Sequence, residues 1–179
     1  GADEAIDMGW TETNQHAAGK LALRKPWVCP DDLFDRNVEF HECDMNHVPA
    51  DYVDFDFCWS ACALEHLGSI EHGLAFIERS IDCLKPGGWA AHTTEFNVSS
   101  EDITVDHQPT VLFRRRDIED LLERLRDKGH NAVPVNYDAG VGVLDQFIDV
   151  PPYREQPHLK MALSGFATTS IGILVQRGR

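Results

Sequence analysis

Five polar residues in this 179-residue chain are of the types that reactions need: Asp44, Ser60, the adjacent Glu65 and His66, and Glu95. Carboxylates accept hydrogen bonds or protons, and an imidazole titrates close enough to neutrality to act as a general base toward a hydroxyl or amine. Each residue also has a plainer role open to it. Asp44 suits a turn, Glu65-His66 suits a loop pair bonded to backbone, and Glu95 suits either a pocket or solvent. His92 reads as a core histidine with satisfied nitrogens. Arg114-Arg115-Arg116 reads as a solvated run rather than an anion-steering patch.

Cysteine and histidine spacing also raises zinc. Cys58, Cys62 and His66 form one set, and His41, Cys43 and His47 another. Structural zinc sites close with four ligands in paired spacing, which neither set supplies, so no metal is expected. The five cysteines (Cys29, Cys43, Cys58, Cys62, Cys83) show no CxxC pair and read as free thiols, several among apolar neighbours. That usage implies a reducing, cytoplasmic setting.

These residues must be positioned by the elements around them. Val38–Cys43 alternates and reads as a short strand ending at Asp44. Val53–Ser60 is a second strand. Ser69 caps a helix with Ile70, Leu74, Ile77, Ile81 and Leu84 on one face, which Lys85-Pro86-Gly87-Gly88 stops. Trp89–Phe96 is a further strand, and Asp117 opens a helix with Ile118, Leu121, Leu122 and Leu125 inward, closed by Gly129. A short strand at 132–135, a loop-rich insert at 136–160 and a final strand, 161–179, complete the order. The expected fold class is α/β around a largely parallel sheet. Residues 1–37 are poorly periodic, and the Met and Trp side chains read mostly as packing. In such sheets the ligand crevice lies beyond the carboxyl ends of the strands, where Asp44-Met45, Ser60–Gly68 and Thr93–Asn97 fall.

Composition narrows the partners. Lys+Arg 16 against Asp+Glu 30 leaves a formal charge of −14 at pH 7, which repels nucleic acid and anionic lipid. No apolar run approaches the roughly 18 residues that span a bilayer, so a soluble protein is expected. No repeat or linker divides the chain, and a single domain is the default at this length.

The run Asp54-Phe55-Asp56-Phe57-Cys58-Trp59-Ser60-Ala61-Cys62-Ala63-Leu64-Glu65-His66-Leu67, a helix, and then Leu84-Lys85-Pro86-Gly87-Gly88-Trp89 together resemble the second half of a class I S-adenosylmethionine-dependent methyltransferase. The resemblance covers roughly residues 36–135. It implies a Rossmann-like sheet, mostly parallel with an antiparallel last strand, in which the first run is the fourth strand and its loop, and "LKPGG" precedes the fifth. It further implies S-adenosylmethionine as cofactor, with Asp44 and Met45 meeting adenine and Ser60 near the sulfonium. His66, Glu65 and Glu95 then serve a small-molecule acceptor. Methyl transfer is mainly a matter of holding the nucleophile in line. Asp149-Val150-Pro151-Pro152-Tyr153 superficially matches the Pro-Pro-Tyr box of amino-group methyltransferases. It falls between the last two strands, so it reads as a stiff turn with Tyr153 as a pocket wall.

The family's Gly-rich loop, E/D-x-G-x-G-x-G, does not occur in the 179 residues, and the ribose-binding acid has only Asp3 and Asp7 as candidates. The expectation is therefore a truncated domain that lacks the first strand or strands, or the ordered part of a longer chain, with compromised cofactor binding. A homodimer is one way to pair the sheet edges thus exposed. Two rivals stand beside this reading. One is a non-catalytic α/β binding or dimerisation module derived from a methyltransferase. The other is a different Rossmann-like enzyme, such as a dinucleotide oxidoreductase.

Overall fold

Proline lacks a backbone N–H and so suits the start of a helix, and Pro30 precedes α1 (Asp31–Asn37) in the computed structural model, which describes residues 17, 19–154 and 156–179. Asp3, Asp7 and Trp10 lie outside the described residues. The chain divides into two compact units, Gly1–His47 and Val48–Arg179.

In the first unit, Asp31 and Asp32 occupy the first turn of α1, where the helix dipole favours negative charge. Phe34 is its buried residue, and the Arg24 guanidinium lies 4.9 Å from the centre of its ring. Arg24 also pairs with Asp31 at 2.9 Å and with Asp35. Val38–Cys43 is not a strand, contrary to its alternation. Alternation describes only which way side chains point. A strand also needs a hydrogen-bonding neighbour, and none pairs with this segment among the described residues.

The second unit is an α/β sheet with order β1-β2-β5-β3 and β4 paired to β5. β1 (Phe55–Ala61) runs parallel to β2 (Leu84–Asn97), and α2 (Ile70–Asp82) makes the crossover. β5 (Phe166–Gln176) runs antiparallel to β2 from Trp89↔Gln176 to Asn97↔Thr168, the expected sense of the last strand. The parallel character therefore rests on β1–β2. β3 (Asn131–Ala132) and β4 (Met161–Leu163) each add to β5 in the antiparallel sense. The Lys85–Gly88 segment falls inside β2 rather than before it, as a register shift opposite Phe55–Phe57. Gly87, at φ +84, takes the left-handed conformation there, and a Cβ on Gly88 would lie 3.0 Å from the Asp56 carbonyl oxygen.

Alternation then decides which face of the sheet is covered. Ala90, His92, Thr94 and Phe96 of β2 are buried together with Ile171, Ile173 and Val175 of β5. Ile70, Ile77 and Ile81 of α2 are buried too, as are all four inward leucine and isoleucine positions of α3 (Arg115–Asp127). α2 approaches closely at Gly73, where a Cβ would meet Phe113 Cζ at 2.5 Å and the Leu64 carbonyl oxygen at 3.0 Å. Phe55, Phe57 and Trp59 point the other way along β1, and Trp59 is 69% exposed. Trp59 therefore departs from the packing role expected of the tryptophans, because its position in the alternation puts it opposite the helices.

α3 begins two residues earlier than Asp117. The Asp117 carboxylate accepts from the Arg114 backbone N–H at 2.9 Å and from Arg114 Nε at 2.8 Å, so it closes the first turn from inside. Arg115 lies 5.0 Å over the Tyr137 ring, and Arg116 donates to the Asp102 carbonyl. Arg114 thus fixes the start of α3, while Arg115 and Arg116 are exposed, as expected of a solvated run.

His92 sits in the middle of this core at 2% exposure. Its Nδ1 lies 2.8 Å from Ser60 Oγ and its Nε2 3.0 Å from Ser80 Oγ, so one imidazole ties β1, β2 and α2 together. Burial holds its pKa down to about 4 from the ordinary 6.5.

Two outcomes follow. An unfolded chain protonates His92 at ordinary values while the folded ring stays neutral, so this group's contribution to stability falls as pH drops from 6.5 toward 4. Urea denaturation should show a loss of about 2 kcal/mol between pH 7 and pH 5 that His92→Gln, which cannot titrate, does not share. Gly73→Ala should cost about 1–3 kcal/mol in the same assay despite alanine's better helix propensity, because Phe113 and Leu64 leave no room for the methyl.

Candidate functional site

β1 and β2 are parallel, so their carboxyl ends open on the same edge of the sheet. At the end of β1 the Cys62 N–H is bonded to the Thr93 carbonyl at 3.0 Å, and Cys62 takes the left-handed conformation with φ 44. The chain then turns through a single 3₁₀ turn, Leu64–His66, that buries both Leu64 and Glu65. This turn is pinned from the other side by the Val111 N–H, which donates to the Glu65 carbonyl at 2.8 Å.

Burying a carboxyl requires compensation. Glu65 is 1% exposed, and its Oε2 accepts from Thr94 Oγ1 at 2.9 Å. Desolvation nevertheless pushes its pKa up, against the opposing hydrogen bonds. Glu95 is 8% exposed; Ser170 Oγ donates to its Oε1 at 3.4 Å, while its Oε2 is buried with no hydrogen-bond partner among the described residues. Cys62, Glu65 and Glu95 each bring a donor atom within 4.8 Å of the other two. The thiol is the exposed member of that cluster.

His66 Nδ1 lies 3.0 Å from the Pro109 carbonyl oxygen and 3.3 Å from Thr110 Oγ1. A carbonyl only accepts, so the proton belongs on Nδ1 and the lone pair on Nε2, which is the tautomer of a general base. Pro109 and Thr110 also line a cavity of about 500 Å³ with Thr104, Val105, Asp106 and Gln108.

The remaining sequence candidates fall elsewhere. Asp44 and Met45 lie in the first unit, where Asp44 is exposed and Met45 half-buried. Asp44 Oδ1 accepts from the Asn46 N–H at 2.9 Å and Oδ2 from His47 Nδ1 at 2.7 Å, and these bonds, the His47 one foremost, hold its pKa below the usual carboxylate range. It is thus a turn former, with lone pairs left for a further donor. Ser60 turns its hydroxyl to His92, not to the strand-end edge. Tyr153 donates to the Ala162 carbonyl at 2.8 Å and stacks edge-on against His158, and it braces the insert. Cys58 faces the Ser80 carbonyl and His66 faces Pro109, so that zinc set is not brought together. The grouping that does form, Cys62 with Glu65 and Glu95, joins residues far apart in sequence. Only Cys62-x-x-Glu65 is visible as a spacing.

S-adenosylmethionine can be tested against these residues. The Asp44 carboxylate suits an adenine amino group, but Ser60 is committed to His92, and no glycine-rich loop is present for the methionine part. The residues here do not by themselves make a complete cradle.

A parallel β1-α2-β2 unit with polar strand ends is a Rossmann-like arrangement. Residues 12–92, just under half of the chain, match the family model described as a methyltransferase domain. The resemblance to class I methyltransferases therefore stands, with S-adenosylmethionine as the cofactor class it implies. Among solved structures, an O-methyltransferase family protein from Burkholderia thailandensis is 16% identical with TM-score 0.49, over 89% of this chain and 41% of its own. The [4+2]-cyclase SpnF is 15% identical with TM-score 0.50, over 85% of this chain and 61% of its own. An S-adenosylmethionine-dependent methyltransferase from Mesorhizobium loti is 10% identical with TM-score 0.49, over 87% and 77%. The chain thus spans 41% and 61% of the first two. No curated protein matches it. No helix among the described residues is long and apolar enough to cross a membrane.

The Thr94 hydroxyl is the buried donor that Glu65 depends on. Thr94→Val, nearly the same shape, should destabilise the fold by about 1–3 kcal/mol in urea denaturation, because the carboxyl is left buried without it.

Proposed function

We propose that this domain serves S-adenosylmethionine-dependent methyl transfer to a small-molecule acceptor. The match of residues 12–92 to the methyltransferase domain carries the reading, and it ends within the strand that delivers Glu95 to the edge. In this reading His66, with its lone pair on Nε2, takes the acceptor's proton, and the buried Glu95 carboxylate orients the acceptor by hydrogen bonding. Glu65, held by Thr94, keeps the 3₁₀ turn and thereby His66 in place. Asp44 and Met45 serve the adenine end, and Ser60 acts through His92 rather than on the cofactor. The cofactor supplies the electrophilic methyl group when bound. The chain's net charge of −14 suits an uncharged or cationic small molecule rather than nucleic acid.

The second reading is a non-catalytic α/β module derived from a methyltransferase, acting by binding or dimerisation. The commitment of Ser60 to His92 favours it.

Isothermal titration of this chain with S-adenosylhomocysteine separates the two. Methyl transfer by a domain without its glycine loop gives weak but saturable binding, with a dissociation constant in the roughly millimolar range that S-adenosylmethionine competes for and Asp44→Ala weakens. No saturable binding supports the module reading. A micromolar constant overturns the incompleteness of the cradle.

A further inference from the structure

The Cys62–Glu65–Glu95 cluster has a property that acceptor orientation does not need: a thiol in the ligand set. Two of its members, Glu65 and Glu95, are more than nine-tenths buried, and Glu95 Oε2 lacks a partner among the described residues. A buried acceptor atom without a donor is costly, and the arrangement calls for something electropositive beside it. Its three donor atoms lie within 4.8 Å of one another, against separations of about 3.5 Å around a tetrahedral zinc ion.

We propose that Cys62 Sγ and the carboxylates of Glu65 and Glu95 form a three-ligand site for a divalent zinc-like cation, with the fourth position open. Thiolate with carboxylate selects a borderline-soft ion over magnesium or calcium, which take oxygen ligands. Cys62 and Glu65 come from the bend and 3₁₀ turn that follow β1, and Glu95 from the neighbouring strand. The ligands are themselves supported. Ser170 Oγ reaches both Cys62 Sγ at 3.6 Å and Glu95 Oε1 at 3.4 Å, and Thr94 Oγ1 holds Glu65 Oε2 at 2.9 Å. Thr93 Oγ1 lies 3.6 Å from the sulfur on its other side. The exposed thiol is the entry path. The site shares Glu65 and Glu95 with the methyl-transfer reading, and its test reads metal uptake alone, so the two fail separately.

The test is metal binding to the full chain after chelator treatment, read without any activity. Zinc titration against a chromophoric competitor should give one equivalent bound at micromolar affinity or tighter. Cobalt substituted for zinc should show thiolate-to-metal charge-transfer absorption in the near ultraviolet. Cys62→Ser should abolish that band and weaken zinc binding by about 100-fold, and Glu95→Gln should weaken it by about 10–100-fold. Cys62 is exposed, so its variant should keep the wild-type far-ultraviolet circular dichroism and carry the test even where Glu95→Gln fails to fold. Absence of stoichiometric uptake overturns the site. So does uptake that both variants retain, which would place the ion elsewhere, for example at Asp44 and His47. Retention of zinc with a cobalt spectrum lacking the thiolate band overturns the role of Cys62.

Discussion

The second unit hangs on one strand. β2 is hydrogen-bonded along both edges, parallel to β1 and antiparallel to β5, so each side chain it carries is fixed in two directions at once. Its alternation sends Ala90, His92, Thr94 and Phe96 toward the covered face. Because β1 and β2 are parallel, both deliver their last residues to one edge, and an antiparallel pair would have separated them. That geometry brings residue 62 and residue 95 together across the sheet.

The polar side chains inside this frame divide into those that hold the fold and those that leave something unsatisfied. Ser60, His92 and Ser80 form a closed chain in which each hydrogen bond has its complement. Asp117 and Arg114 do the same at the start of α3. Glu95 differs, since among the described residues one of its oxygens finds no donor, a condition that the Tyr137 hydroxyl shares. Ser60 and Glu95 stand at comparable strand ends, yet only Glu95 is left in that condition.

Much of the fold was legible because its signals are local. The capping serine at Ser69, the apolar spacing through Ile81 and the leucines of α3 depend on residues a few positions apart. The antiparallel sense of β5 was expected from the family resemblance, and the structure agrees. Val38–Cys43 failed as a strand because alternation does not provide a partner. The Lys85–Gly88 segment was legible as a breaker, but its place inside β2 as a register shift depends on Asp56 across the strand pair and on Arg177 beside it. At the site, Glu65, His66 and Glu95 were readable by residue type and strand-end position. The burial of both glutamates was not, and neither was the approach of Cys62.

By itself the sequence determined the α/β class, the two long helices and their buried faces, the strand-end placement of Glu65, His66 and Glu95, and the resemblance to class I methyltransferases. These follow from periodicities and short motifs that a linear chain carries within one or two turns. Tertiary structure decided that Ser60 faces His92. It also decided that Cys62, Glu65 and Glu95 share one spot. Each of these outcomes depends on which distant backbone lies alongside, and hydrogen bonds and desolvation act across space, not along the chain.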